Sequence, residues 1–304
     1  MAEALLFPLG LTAVLLALAA LAAGLDAVLV EGPAAWRAPW QETARLARQR
    51  RRALASADRL LWRLGGAGLL VAALLMAAVV PVGGRPVADV PVGVVWFNAM
   101  DVVVWAAVWC LGWGANAVHG LVGGYRFLAQ ALSYELPLMF ALTAPAVAAA
   151  SLRMTDVAAA QADRWFVVEM PVAFLVFCVG VVGFSVHGPF AHPAGADVHG
   201  GVLAELSGVD RWVVQAGRYA LLAAGAAFGA ALFLGGGTGP WLPGWVWSLV
   251  TTLALLAVLV AGRRLLPVVR PDRFVEAGWL VLLPLTLAQV FVVSVVAVLR
   301  AGGA

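Results

Sequence analysis

Four carboxylic acids lie inside long apolar stretches of this sequence, and their type and position make proton transfer the chemistry to consider. They are Asp26, Asp101, Glu135 and Glu169. An ionised carboxylate in the middle of a membrane-spanning helix costs at least ~2.5 kcal/mol. Each of these groups therefore requires a protein-lined or hydrated surrounding if its segment crosses a bilayer.

Glu135 has the most informative neighbours. It stands in the run Ala-Leu-Ser-Tyr-Glu-Leu-Pro-Leu, and Pro137 lacks the N–H that would bond to the preceding turn. The local kink predicted here frees backbone carbonyls for water, and a hydrated carboxyl can exchange protons. Glu135 is thus a candidate relay element. A protonated Glu135 hydrogen-bonded to a neighbouring helix, beside a common proline kink, explains the same pattern.

Asp101 follows Asn98 by three residues, so the two side chains share one face of a helix. The pair could line a polar seam with Glu135, and a hydrogen bond between helices accounts for it as well. We include Asp101 and Asp26 with Glu135 as predicted members of a proton path.

A group of potential metal ligands lies in one connecting segment and comprises His187, His192, His199 and Asp197. Their spacings could in principle gather around a metal ion. They stand on no regular element, and such segments sample many geometries. We therefore predict no metal site.

The composition excludes a water-soluble fold. Of the 304 residues, 63% are hydrophobic and 12% are charged, and the mean hydropathy is +0.97; a soluble domain carries roughly a quarter charged residues. Windows of about 20 apolar residues, the length that crosses a bilayer, predict an all-α, polytopic membrane protein forming a single domain, residues 1–304. About eight spans are predicted, at approximately residues 4–30, 60–82, 92–113, 127–150, 166–186, 212–234, 243–261 and 274–299.

Arginine distribution predicts the orientation of these spans. Residues 31–59 contain seven arginines and residues 263–273 contain four, which places both segments in the cytoplasm. Alternation then puts both termini outside and the loops around His119 and His199 inside. In the first loop, Trp36, Trp40, Ala44 and Ala47 recur at helical spacing and predict an interfacial amphipathic helix. A solvated basic linker attracted to anionic lipid is the alternative.

Residues 125–137, which read Tyr-Arg-Phe-Leu-Ala-Gln-Ala-Leu-Ser-Tyr-Glu-Leu-Pro, resemble the signature of the H subunit of bacterial NADH-quinone oxidoreductase, the respiratory complex I subunit 1 family. Further matches follow in the expected order: Pro189-Phe190, Glu205-Leu206-Ser207-Gly208, and Arg273 with Gly278-Trp279 and Leu283-Pro284. With about eight spans, the likeness covers nearly the whole chain.

The resemblance implies a subunit of the bacterial plasma membrane, where the membrane arm meets the peripheral arm. There it helps to form the quinone chamber and passes the consequence of quinone reduction to proton channels. Quinone is then a shared substrate, and the partners are other membrane-arm and peripheral-arm subunits, quinone and lipid, without nucleic acid. No flavin or iron–sulfur cluster is expected in this chain, because it has no Gly-rich phosphate loop and no set of Cys ligands. It therefore holds no complete active site by itself.

The same resemblance assigns roles to individual residues. Glu135 matches the family's intramembrane glutamate, Arg126 matches the basic residue at the cytoplasmic end of that helix, and Asp26 is a weaker match to an acid in the first span. Pro189 and Phe190 open the coupling loop beside the quinone site.

That loop also departs from the family pattern, Pro-Phe-Asp-x-Pro-Glu-Ala-Glu. Three of its acids are replaced, by Ala191, Ala194 and Ala196, so the negative field is weakened or moved to Asp197 and Glu205. A divergent paralogue, in a partial complex without a NADH module or in a hydrogenase-like assembly, would explain this change.

Two other classes of function remain open on these residues. A stand-alone transporter or ion channel would use the same acidic seam for proton-coupled movement. A non-pumping scaffold would anchor a peripheral oxidoreductase or hydrogenase module, a hypothesis favoured by the three missing loop acids.

Overall fold

Apolar segments of this length can satisfy their backbone polar groups inside a bilayer only as helices, and the chain forms helices throughout. The computed structural model describes the backbone of residues 2–52, 54–239 and 241–302, with the side chains of these residues except 2–7, 264, 301 and 302. The first few side chains of the span predicted at 4–30, and that of one of the four arginines in 263–273, thus lie outside the described residues.

The α-helices are α1 (Ala2–Glu31), α2 (Ala38–Arg48), α3 (Arg59–Ala78), α4 (Gly93–Gly114), α5 (Val118–Ala149), α6 (Met154–Ala159), α7 (Phe166–Glu169), α8 (Pro171–Phe184), α9 (Gly208–Phe233), α10 (Gly244–Leu265), α11 (Pro271–Ala277) and α12 (Leu283–Gly302). A π-helical segment, Gly278–Leu282, joins α11 to α12. Within the described residues, 7 helical stretches are long and apolar enough to cross a membrane. The predicted all-α, multi-pass membrane class is confirmed.

The fifth predicted span, residues 166–186, differs from the other seven. It is divided into α7, of 4 residues, and α8, of 14 residues. The division falls at Met170, which leaves helical geometry directly before Pro171, and proline restricts the residue that precedes it. At 1.5 Å per residue α8 is roughly 21 Å long, shorter than the ~30 Å hydrocarbon core. An apolar window alone did not reveal this break.

Helix α9 lies at the centre of the bundle and packs against α1, α3, α8 and α10. Its second half is rich in Ala and Gly, and small residues let helix backbones approach closely. At Gly217, an added Cβ would lie 2.8 Å from Leu69 Cβ on α3. Phe228 of α9 stacks on Phe97 of α4 with ring centroids 3.8 Å apart, closing the middle of the core.

The loops predicted to be cytoplasmic meet at one end of the bundle, which we call the inner end. The rings of His119 and His199 stack 4.7 Å apart, and Arg52 pairs with Glu205 at 2.6 Å. The segment after α10 joins them, since Val269 N–H donates to the Pro189 carbonyl at 3.1 Å. Alternation along the chain predicts this meeting; that the inner end faces the cytoplasm remains a prediction from arginine distribution.

The first loop contains the helix that its periodicity predicts, now seen as α2 after a 3₁₀ turn over Pro33–Arg37. One side of α2 packs on α9, where Leu46 is buried and Thr43 accepts a hydrogen bond from Trp212 Nε1 at 3.3 Å. Trp36 and Trp40 keep 45% and 61% exposure. The Trp36 ring, in the 3₁₀ turn, packs against Gly24 of α1. Trp40 on α2 is left largely free of protein contact, as a helix lying in a lipid interface requires.

Candidate functional site

Two of the predicted path residues, Asp101 and Glu135, come together where α4 packs against α5. Each stands near the middle of its helix, and their carboxyl groups lie within hydrogen-bonding reach of one another. The Tyr134 hydroxyl donates to Asp101 Oδ1 at 3.2 Å, and Asn98 Nδ2 donates to Glu135 Oε1 at 3.2 Å. We call Asp101 and Glu135 the acid pair. The polar seam that the spacing of Asn98 and Asp101 suggests is therefore present.

Each acid keeps one oxygen without a hydrogen-bond partner among the described residues. Asp101 Oδ2 and Glu135 Oε2 are both buried and without a partner, and the same holds for Asn98 Oδ1 nearby. Buried polar atoms normally have partners, and two carboxylates this close do not both ionise readily. A single proton held between the acids would give both oxygens a partner.

Pro137, two residues after Glu135, leaves a backbone carbonyl of α5 without its helical hydrogen bond, and the segment before α12 packs against that carbonyl. Pro137 cannot bond to the Ser133 carbonyl one turn earlier. Gly278, in the π-helical segment, lies directly against that carbonyl, and a Cβ at position 278 would collide with the Ser133 oxygen. The carbonyl that the sequence predicts to face water is instead covered by the start of the last span.

The third predicted path residue, Asp26, lies in a different cluster near the inner end. Its carboxylate pairs with Arg263 of α10 and accepts from the Tyr219 hydroxyl of α9 at 2.8 Å. The His187 ring packs on Tyr219 with centroids 4.8 Å apart, and Arg218 donates to the Val186 carbonyl next to His187. We call Asp26, His187, Arg218, Tyr219 and Arg263 the Asp26 cluster.

Sequence reasoning missed the partners of Asp26. Arg218, like the four acids, lies inside an apolar run of the sequence. Its side chain is buried, and its Nε atom has no hydrogen-bond partner among the described residues. The rule that marked the acids, that a charge inside a span needs a protein surrounding, would have marked this arginine too. The pairing with Arg263, by contrast, carries no local signal.

His187 gives this cluster a predicted pH dependence. Burial, together with the charges of Arg218 and Arg263, holds the pKa of its imidazole well below the ordinary 6.5. The folded protein therefore keeps His187 neutral, while the unfolded chain takes up a proton below about pH 6.5. Stability should be intact above that pH and should fall on acidification by up to about 1.4 kcal/mol per pH unit.

Thermal unfolding of the detergent-purified chain between pH 8 and pH 5 measures this effect. His187→Gln should flatten the acid limb of the curve. His119→Gln, which removes an exposed histidine, is the matched control and should leave that limb unchanged. Parallel curves for His187→Gln and the unaltered protein would contradict the assignment.

The negative charge of the coupling loop is expected to come from Asp197 and Glu205, and both of these acids are in ion pairs. Asp197 lies 2.6 Å from Arg126, and the hydrogen bond from that guanidinium lowers the pKa of the Asp197 carboxyl. Glu205 lies 2.6 Å from Arg52 of the first loop. The negative charge that the loop retains is thus largely offset by neighbouring arginines.

Pro189 and Phe190 act as packing residues in this fold. Phe190 is 7% exposed and packs against Phe274 of α11, with the rings tilted and their centroids 4.2 Å apart. The Pro189 carbonyl accepts from Val269 N–H. These contacts fasten the loop after α8 to the start of the last span.

The potential metal ligands of the same loop point to different neighbours. His187 belongs to the Asp26 cluster, Asp197 pairs with Arg126, and His199 stacks on His119. The His192 ring Nε2 is buried without a hydrogen-bond partner among the described residues. Across residues 2–52, 54–239 and 241–302, no three His, Cys, Asp or Glu side chains are grouped closely enough to hold a metal ion.

The helices and their buried charges define a multi-pass integral membrane protein with an acid pair between two of its spans. Residues 27–294 match the model of the family described as NADH dehydrogenase, and the chain belongs to that family. The resemblance predicted from residues 125–137 is confirmed.

Individual relatives agree with this assignment. The chain is 35% identical over 257 residues to NADH-quinone oxidoreductase H subunit 1 of Geobacter metallireducens, covering 81% of this chain and 78% of the relative. It is 36% identical over 249 residues to the H subunit 2 of the same enzyme in Geobacter sulfurreducens, covering 78% and 76%. It is also 35% identical over 248 residues to the H subunit of Geobacillus kaustophilus, covering 79% and 74%.

Proposed function

We propose that this chain acts, as one membrane domain, as the membrane-arm subunit of a complex I-like quinone oxidoreductase. In that role it forms part of the quinone chamber and part of the path that couples electron transfer to proton movement. The acid pair carries the proposal, because two mid-helix carboxyl groups share a pocket in which a proton can be held. The names of the relatives, each an H subunit of NADH-quinone oxidoreductase, support the kind of assembly.

Each residue of the acid pair has a distinct part in this proposal. Asp101 is fully buried, whereas Glu135 is only partly buried, so a proton exchanges with the surroundings through Glu135 and is stored against Asp101. Tyr134 and Asn98 hold the two carboxyl groups in register through their hydrogen bonds. Such positioned acids transfer protons efficiently because no reorganisation is needed at the moment of transfer.

The Asp26 cluster supplies the quinone-facing part of the proposal. It gathers α1, α9 and α10 near the inner end, close to where α2 packs on α9. Two arginines and one aspartate give it an excess of positive charge, which suits an acceptor such as a quinone carbonyl oxygen. Quinone is shared with partner subunits in this proposal, and electrons reach it from their redox centres.

Glu135→Gln tests the proposal in proteoliposomes that contain the whole complex. The amide keeps the size of the side chain but carries no exchangeable acid proton, so proton translocation should fall about tenfold or more while the amount of assembled complex is unchanged. Glu276→Gln is the matched control, because that exposed glutamate pairs locally with Arg273 at 3.1 Å. Equal translocation by the Glu135→Gln and unaltered complexes would rule out the relay role.

A second candidate function is a non-pumping anchor for a peripheral oxidoreductase or hydrogenase module. The pairing of Asp197 with Arg126 and of Glu205 with Arg52 favours it, since these pairs leave little free negative charge in the coupling loop. An anchor would tolerate Glu135→Gln. It would instead release its peripheral partner when Arg51 and Arg52 are both replaced by Gln, which co-purification measures.

A further inference from the structure

A cavity of about 400 Å³ opens at the inner end, between the segment joining α2 to α3 and the first turns of α3 and α9. Its charged and aromatic lining comprises Arg51, Arg52, Arg59, Trp62, Arg63 and Asp210. The rest of the lining is mainly apolar. The cavity is separate from both the acid pair and the Asp26 cluster, so neither explains its charges.

The positive charge of the arginines in this cavity is only partly neutralised by acidic side chains. Arg51 lies 3.6 Å from Asp210 and Arg52 lies 2.6 Å from Glu205. Arg59 and Arg63 have no acidic partner within the part of the chain that the structure describes. They are four residues apart on α3 and so share one helix face. The cavity thus presents two positive charges to whatever occupies it.

Trp62 adds an independent sign of a ligand. Its side chain lines the cavity and only 8% of the residue is exposed. Its indole Nε1 is buried without a hydrogen-bond partner among the described residues. Buried indole N–H groups usually find an acceptor. An anionic oxygen between Trp62 and the two arginines would satisfy this donor and both charges.

The surroundings of the cavity indicate that the anion carries an apolar part. The first membrane-spanning residues of α3 begin at Arg59, so the cavity lies at the depth where lipid headgroups meet the bilayer. Leu60 and Leu64, next to the two arginines, are 68% and 56% exposed. Acyl chains can lie along these leucines while the headgroup occupies the polar end.

We propose that this cavity binds the headgroup of an anionic phospholipid, with its phosphate held by Arg59, Arg63 and the Trp62 indole N–H. The proposal does not depend on proton coupling, so it holds for a pumping subunit and for an anchor alike. Its lipid would fasten the first loop to the bundle close to the quinone-side helices.

The test uses the full chain, delipidated in detergent and titrated with phosphatidylglycerol or phosphatidylcholine, with bound lipid measured by native mass spectrometry. The chain should prefer phosphatidylglycerol. Arg59→Gln/Arg63→Gln should weaken that binding about thirtyfold, since two basic charges near the headgroup are removed. Trp62→Phe keeps the ring but removes the donor, and should weaken binding about fivefold.

Arg37→Gln/Arg48→Gln is the matched control, because it removes the same charge from the first loop outside the cavity lining; binding should change by less than about threefold. Equal affinity for phosphatidylcholine, or an equal loss in the control, would overturn the proposal. So would competition by millimolar inorganic phosphate, which would mark a site for soluble anions. If the double arginine variant fails to fold, Trp62→Phe still decides the matter.

Discussion

Replacement of Asp101 by Asn is expected to lower proton translocation by the assembled complex about a hundredfold, the lower end of the range for a positioned acid. Asp101 is fully buried, so water has little access to replace the lost carboxyl. The introduced amide would also donate to Glu135 Oε2, the oxygen that has no partner among the described residues of the unaltered protein. Glu135 would then be fixed in one state, which is why the effect should exceed that of Glu135→Gln.

The measurement is acidification inside proteoliposomes, compared with quinone reduction in the same preparation. If the acid pair holds one proton as a unit, as proposed, Asp101→Asn/Glu135→Gln should be no worse than Asp101→Asn alone, within about twofold. Asp272→Asn serves as the control, since Asp272 is exposed at the inner end and pairs with Arg270. Losses that multiply in the double variant would show that the acids act independently, against the shared proton.

Replacement of Arg263 by Leu is expected to destabilise the chain by about 3 kcal/mol, because it removes a cation that pairs with the buried carboxylate of Asp26. Asp26 is 6% exposed, and its contact with the Tyr219 hydroxyl would remain. Removing one cationic partner of a buried carboxylate costs more than that ion pair contributes when intact. The variant should therefore unfold at lower temperature in detergent and accumulate less in the membrane.

A second substitution distinguishes the loss of the Asp26–Arg263 ion pair from a general disturbance of α10. Asp26→Asn in the Arg263→Leu background removes the buried negative charge and should recover most of the lost stability. Arg273→Leu is the control, since its side chain is 73% exposed and pairs with Glu276; it should change stability by no more than about 0.5 kcal/mol. A double variant less stable than Arg263→Leu would contradict the predicted role of Asp26.

Several features of the fold follow from local sequence. Apolar windows predict where helices cross the bilayer, because each span must satisfy its own backbone within one continuous segment. The amphipathic α2 follows from side chains recurring at helical spacing. Hydropathy windows do not predict the helix break at Met170 and Pro171, since they score proline by its polarity and not by its missing N–H.

The sequence by itself determined that this is a helical membrane protein, that it belongs to the complex I subunit 1 family, and that buried acids are its candidate chemistry. Only the tertiary structure decided which charges meet: Asp101 with Glu135, and Asp26 with Arg263, 237 positions away. The reason is physical, because spacing along one helix is set by its own geometry. Contact between helices depends on the rotation and crossing angle that the whole set of packed side chains imposes.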